Sequence, residues 1–476
     1  MGKIEKIVFW SLVLDLFAFT IPLPLFPRII EWYTVKEGSD PTCLLSRTLY
    51  TISSIRALLY TPTNNPQKWD VVLLGKSMFA ICSGIAQSVY RTLQFLVAPL
   101  IGALSDKYGR RNVLLVTMAG NILSALIWIK ATTFSSYLLS RIIGGISEGN
   151  VQLATAILSD ITTPAERSRS LAQIGIAFAI CFCIGPPIGA YFASQPVPAS
   201  VKALGIELNI YAVPALITLV LLSVETLFLA AALPETRGTQ RNGDKGSAQS
   251  NKVEKPKLKL PERTVQERLD ILQTLRWLHF FFLGIFSGIE FTLTFLTFDL
   301  FDWSNSQNGA LIGSIGIISA LLQGGYVRRT ISKVGEGKMA RRGVISCAAG
   351  LVLLSMVPHF ALKGSAIAVR PLQMAAICLA FTSATVVSSL TSFASLQCDD
   401  AVDQITGKPV QTHPQLSKGV ALGVFRSAGQ LGRAIGPLLA CASYWTFGPS
   451  ATYGISAIAM IILAASMESV VIASSP

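Results

Sequence analysis

Residues 99–111 read "PLIGALSDKYGRR", a polar knot of Asp106, Lys107, Arg110 and Arg111 between long apolar runs. Gly102 allows close approach of a neighbouring helix, Asp106 is placed to join an ion pair or cap the following helix, and Gly109 suits a tight turn. Arginines at such a turn hold it on the cytoplasmic side of a bilayer. That reading requires the flanking runs to cross a membrane, and the whole chain agrees. Of 476 residues 51% are apolar and 14% charged, with a mean hydropathy of +0.54. Such a chain is too oily for an ordinary water-soluble globule.

About twenty mostly apolar residues in helix cross a hydrocarbon layer of about 30 Å. Twelve runs of that kind lie roughly at 5–27, 80–104, 113–130, 136–158, 170–193, 210–232, 277–298, 307–327, 343–358, 371–396, 419–445 and 451–471. An even number leaves both termini on one side, and most of the 39 Lys and Arg then fall in cytoplasmic segments. The first run is no cleavable signal, because Asp15 interrupts its apolar core. Residues 235–276 are polar and rich in Gly, Ser and Lys, and read as a flexible linker between a six-span unit, 1–234, and a second, 277–476. Ile-Gly-Pro at 184–186 recurs at 435–437, and mid-span Asp15 has a positional counterpart in Glu290. The reading is an all-α membrane protein of two pseudo-symmetric six-helix bundles, a known transporter architecture.

Ionisable groups inside spans are costly and normally line a polar pathway. Asp15 is the first candidate proton carrier, with a structural hydrogen bond as the alternative. Arg141 and Glu148 stand seven residues apart on span 4, two helical turns, with Gly144 and Gly145 between them. Arg141 could trade a carboxylate for an anionic solute, or form a permanent pair with Glu148. Glu290 is a further proton or solute site, and Arg426 and Arg433 repeat the two-turn spacing on span 11. Facing inward, these arginines would attract organic anions; otherwise they pair or snorkel near helix ends. Glu225 reads as structural. Gly185, Pro186 and Gly189, with Gly436 and Pro437, read as packing or hinge positions.

These stretches carry a family resemblance. "PLIGALSDKYGRR" resembles the signature between helices 2 and 3 of the major facilitator superfamily. "SRIIGGISEG" (140–149) resembles its arginine-bearing fourth helix, "CIGPPIGA" (183–190) its antiporter signature, and "LPETRG" (233–238) its exit from helix 6. "LDLFAFTIPLPLFP" (14–27), "FSGIEFTLTFLT" (286–297), "QGGYVRR" (323–329) and "GVFRSAGQLGRAIGP" (423–437) are similar to the drug:proton antiporter branch and its tetracycline-transporter-like members. The resemblance implies the twelve-helix fold and proton-coupled efflux of a small organic solute or drug, possibly an anion, by alternating access. Against that pattern Lys76 to Gly84 look inserted, and Arg91 stands where a small neutral residue is expected.

Other classes are disfavoured. "GKS" at 75–77 lacks the upstream glycine of a phosphate loop, position 70 being Asp, and His279, His359 and His413 show no ligand spacing. No enzyme activity, metal or cofactor is expected. Despite a net charge of +13, the basic residues fall in short bursts rather than on one surface, so nucleic acid is not a partner. The expected partners are protons, a small organic solute and the lipid bilayer of a plasma or organelle membrane, with a monomer as the working unit. An uptake symporter, a receptor or scaffold that lost transport, and a channel are the alternatives.

Overall fold

The computed structural model describes residues 2–22, 26–37, 40–47, 50, 78–193, 212–237, 263–303, 305–398, 413–468 and 471. Among them the chain is helical throughout, without strands. In the first half α1 (Lys3–Thr20) is followed by α2 (Phe26–Glu37), α3 (Met78–Tyr108) and α4 (Arg110–Ile129). Then come α5 (Phe134–Ser147), α6 (Asn150–Ile161), α7 (Pro164–Ala193) and α8 (Ala212–Ala232). The second half has α9 (Val265–Phe301), α10 (Asn305–Leu321), α11 (Arg328–Val334) and α12 (Glu336–Ala361). It ends with α13 (Ser365–Gln397), α14 (Lys418–Phe447) and α15 (Pro449–Ser466). Twelve passes result, since α5 with α6 and α10 with α11 each make one, and α2 is an extra helix.

Two expected spans differ. The run 5–27 ends as helix at Thr20, ahead of Pro22, Pro24 and Pro27, because proline removes a backbone donor and disfavours helix in the residue before it. The next residues with a helical assignment form α2, which docks back: Tyr33 donates to the Ala131 carbonyl at 2.7 Å, and Glu37 accepts from the Phe134 amide at 3.0 Å. The run 136–158 is broken. Glu148 (φ −75°, ψ 99°) and Gly149 (φ −130°, ψ −5°) leave the helix before α6 restarts. Of the proposed insertion, residues 76 and 77 lie outside the described residues, whereas Met78 to Gly84 begin α3.

Among the described residues two large apolar cores form, one from residues between Ile7 and Leu233, the other from residues between Leu272 and Met467, with a smaller cluster of Val327, Ile331, Met339 and Ala384 in the second half. Their internal packing repeats. A methyl group added at Gly185 of α7 would overlap Thr20 of α1; one at Gly436 of α14 would overlap the Gly284 carbonyl of α9. The turns repeat as well, for Gly109 before α4 has φ 97° and Gly335 before α12 has φ 89°, a region glycine occupies without strain. Outward faces are aliphatic, as on α15 with Ile455, Ile458, Ile461 and Ile462 exposed, and such a surface suits lipid. Among the described residues eight helices are long and apolar enough to cross a membrane by length and composition. Passes 1, 2, 4 and 11 miss that standard, and they carry Asp15, Arg91, the break at Glu148, Arg426 and Arg433.

Candidate functional site

The two halves meet first at the loop end, where the opening stretch lies. Arg110 is 3% exposed. It contacts Asp106 at 2.7 Å and Asp160 at 2.9 Å, and donates to Ser105 Oγ at 2.6 Å. Asp106 accepts from the Gly419 and Val420 amides at 3.0 and 2.9 Å. It therefore caps α14, in the other half, rather than the helix that follows it. The following helix, α4, is capped by Glu235 of "LPETRG", which accepts from the Arg110 and Arg111 amides at 2.8 and 3.2 Å. Arg111 also donates to the Ala230 carbonyl. Lys418 reaches Asp160 at 3.4 Å. Gly102 lies directly against the Gly419 backbone, leaving no room for a side chain.

Above this seal a cavity of ≈ 310 Å³ opens between the halves, with walls from α1, α3, α6 and α7 facing α9, α10, α13 and α14. Six acidic or guanidinium side chains line it: Asp15, Glu148 and Glu290, and Arg91, Arg426 and Arg433. None of the six forms an ion pair within 4 Å among the described residues. Asp15 accepts from the Asn150 amide at 2.6 Å, and Glu148 from the Tyr90 hydroxyl at 3.1 Å. Arg91 donates to Gln94 at 3.2 Å and, across the halves, to Gln430 at 3.0 Å. Arg426, Arg433 and Glu290 make no hydrogen bond among the described residues. Two further polar atoms in the lining, one from each half, have no hydrogen-bond partner among the described residues: Gln152 Oε1 and His279 Nδ1. Phe19, Phe178, Phe182, Phe282 and Phe286 supply a broad aromatic lining.

Asp15, Tyr90 and Glu148 also border a side chamber of ≈ 60 Å³ inside the first half. Arg141 lies there, not on the main cavity, with its guanidinium 5.5 Å from the Trp128 ring and 5.6 Å from the Tyr137 ring. The indole Nε1–H of Trp128, which lines the chamber, has no acceptor among the described residues. A polar space of this size admits water. Glu225 stands behind α1 and accepts from Ser11 at 2.8 Å. Among the described residues no cluster of His, Cys, Asp and Glu could hold a metal.

Sequence reasoning placed five of the six cavity charges and set Arg91 aside as a packing matter. Arg91 gave the same signal as the others, a charge within an apolar run. The amides of Asn150, Gln152 and Gln430 gave none, because an uncharged side chain in a span does not demand a partner as a lone charge does.

A twelve-pass helical protein with a charged cavity between two repeated halves has the architecture of a secondary transporter. The family model for the Major Facilitator Superfamily matches residues 10–407, and the chain belongs to that family. It is 32% identical over 457 residues to the mouse (Mus musculus) major facilitator superfamily domain-containing protein 10, covering 94% of this chain and 88% of that one. The crystal structure of the human organic anion transporter MFSD10 (TETRAN) superposes with a TM-score of 0.74 at 28% identity, covering 98% of this chain and 99% of that one. The Escherichia coli tetracycline resistance protein, class B, is 25% identical over 278 residues, which is 58% of this chain and 63% of that one.

Proposed function

We propose that this protein is a proton-coupled secondary carrier of small organic anions, working by alternating access in a membrane with both termini cytoplasmic. Its two bundles, 1–234 and 277–476 joined through 235–276, rock as units about the cavity, and a monomer suffices. The observation that carries this reading is the set of six acidic and guanidinium groups, three from each half, that line one cavity with no ion pair within 4 Å among the described residues. Three guanidinium groups with no carboxylate within 4 Å among the described residues suit an anionic solute. The similarity to a protein titled an organic anion transporter supports the same class.

Asp15, Glu148 and Glu290 are the proton carriers in this scheme, and Arg426 and Arg433 the solute's partners, with Arg141 acting from the side chamber that Asp15 and Glu148 border. Fully ionised, the six cavity charges sum to zero. An anion bound there leaves net negative charge at low dielectric, and one proton taken up by a carboxylate restores neutrality. Anion and proton then strengthen each other's binding, and the effect is reciprocal. That sign favours cotransport. The second reading, antiport, expected from the family resemblance, is favoured by the similarity to a tetracycline resistance protein.

A pH gradient across proteoliposomes tests both. With an aromatic sulfonate, ionised at every working pH, cotransport accumulates the probe in the alkaline compartment and antiport in the acidic one. Equal distribution with no gradient-driven flux would end the claim of proton coupling.

A further inference from the structure

We propose that the cavity takes organic dianions with an aromatic body, and that Arg91 is the residue that selects the second acidic group. The inference rests on the organic-anion reading above and adds to it the charge of the solute.

Three observations converge on Arg91. First, its charge is held by neutral partners only, the amide oxygens of Gln94 and Gln430 and the rings of Phe19 and Tyr90, whose centroids lie 5.7 and 5.9 Å from the guanidinium carbon. Such partners keep a cation in place without neutralising it. A carboxylate or sulfonate would be a stronger partner than any of them.

Second, the place where Arg91 docks is telling. Arg426, Gln430 and Arg433 follow one another at intervals of four and three residues on α14, so they share one helix face. The two arginines are about 10 Å apart along the axis at 1.5 Å per residue. Gln430 lies between them and carries Arg91 in from the opposite half. Three guanidinium groups from two helices therefore cluster around one neutral amide. A monoanion can engage one or two of them, whereas a solute with acids at both ends of a rigid ring system can engage α14 and α3 together.

Third, the flanking rings match the body of such a solute. Phe19, on which Arg91 rests, packs 6.3 Å from Phe182, and both line the cavity. A solute that binds this way replaces the bond from Arg91 to Gln430 with a stronger one, so it exchanges a contact between the halves for a contact to itself.

The test uses purified full-length protein in proteoliposomes and two permanently ionised probes with the same body, naphthalene-2-sulfonate and naphthalene-2,6-disulfonate. The parent is expected to prefer the disulfonate in kcat/KM. Arg91→Gln should lower the disulfonate-to-monosulfonate ratio at least about tenfold, a factor of about 1.4 kcal/mol, on the scale of one charge-assisted contact. Gln430→Leu separates this role from a structural one: it removes the same bond between the halves yet should keep the preference for the disulfonate. Should both variants lose the preference equally, Arg91 is a structural tie and the proposal fails. Parent protein that carries the monosulfonate alone overturns the dianion and leaves the anion reading intact. Transport of neither probe sinks the anion reading, and the proposal with it.

Discussion

The loop-end seal and the central cavity use the same kinds of residue to opposite ends. At the seal, Arg110 touches two carboxylates, Asp106 accepts two backbone amides, and Asp160 serves both Arg110 and Lys418. In the cavity, three arginines and three acids stand on the facing walls of the two halves without an ion pair among the described residues. A charge whose partners are all within the protein stabilises one arrangement of the halves. A charge left with neutral partners, or none, retains an interaction for something that arrives. The difference teaches where to look for function: the paired arginines hold the structure, and the unpaired ones define the site.

The strongest way to break this comparison is to remove one arginine of each kind. Arg110→Ala leaves Asp106 and Asp160 facing each other without their shared cation. Deleting one member of a buried charge network costs about 3–5 kcal/mol, and thermal unfolding in detergent should fall by many degrees. Arg433→Ala deletes a charge with no hydrogen bond to lose, so its melting point should stay at or above that of the parent while anion transport drops. If the two variants melt alike, the distinction between holding and awaiting charges is gone.

Next in size is a change to the contact between the halves. Gly102 meets the Gly419 backbone so closely that a methyl group would overlap its carbonyl, and Gly423 of the same helix leans on the Ala98 carbonyl. Small residues permit such backbone approach. Gly102→Val is therefore expected to hold the seal open and slow transport about tenfold or more, as small misplacements do in preorganised sites. Cross-linking between cysteines placed at Phe95 and Ser427, where α14 meets α3 across the halves, reports the approach of the two helices without removing the seal's own ion pairs. An undiminished cross-linking rate in the valine variant would show that the helices shift to admit the side chain.

Much of this was legible in the sequence. Ionisable groups stand out in apolar runs, so Asp15, Glu148, Glu290, Arg426 and Arg433 could be named as inward-facing before any coordinates. The repeated Ile-Gly-Pro pointed to two halves, and Gly185 and Gly436 occupy corresponding packing positions against α1 and α9. Partnerships across long separations were not legible. Nothing local in "LSDKYGRR" says that Asp106 caps a helix more than three hundred residues away or that Glu235 caps α4. The break at Glu148 was hidden by helical spacing on both sides of it. It places Arg141 in the side chamber and Glu148 at the border of both spaces. Arg91 was visible but was judged by the family pattern, which expects a small residue there, instead of by its charge.

The smallest expected effect sharpens the comparison most finely, because it pits two caps of the same chemistry against each other. Asp106 and Glu235 each accept from two backbone amides at the start of a helix. The Asp106 bonds cross between the halves, whereas the Glu235 bonds run from the end of α8 to α4 within the first half. A cap within a unit adds to the stability of that unit in every arrangement of the two, so Glu235→Ala should cost about 1 kcal/mol and leave transport and solute preference unmoved. A cap between units exists only while the seal is closed, so Asp106→Asn should change the ratio of closed to open states, and hence the transport rate, by more than it changes the melting point. Equal losses of transport in the two variants would mean that the first half deforms as the carrier cycles, since a link internal to a rigid unit has no other way to affect the motion.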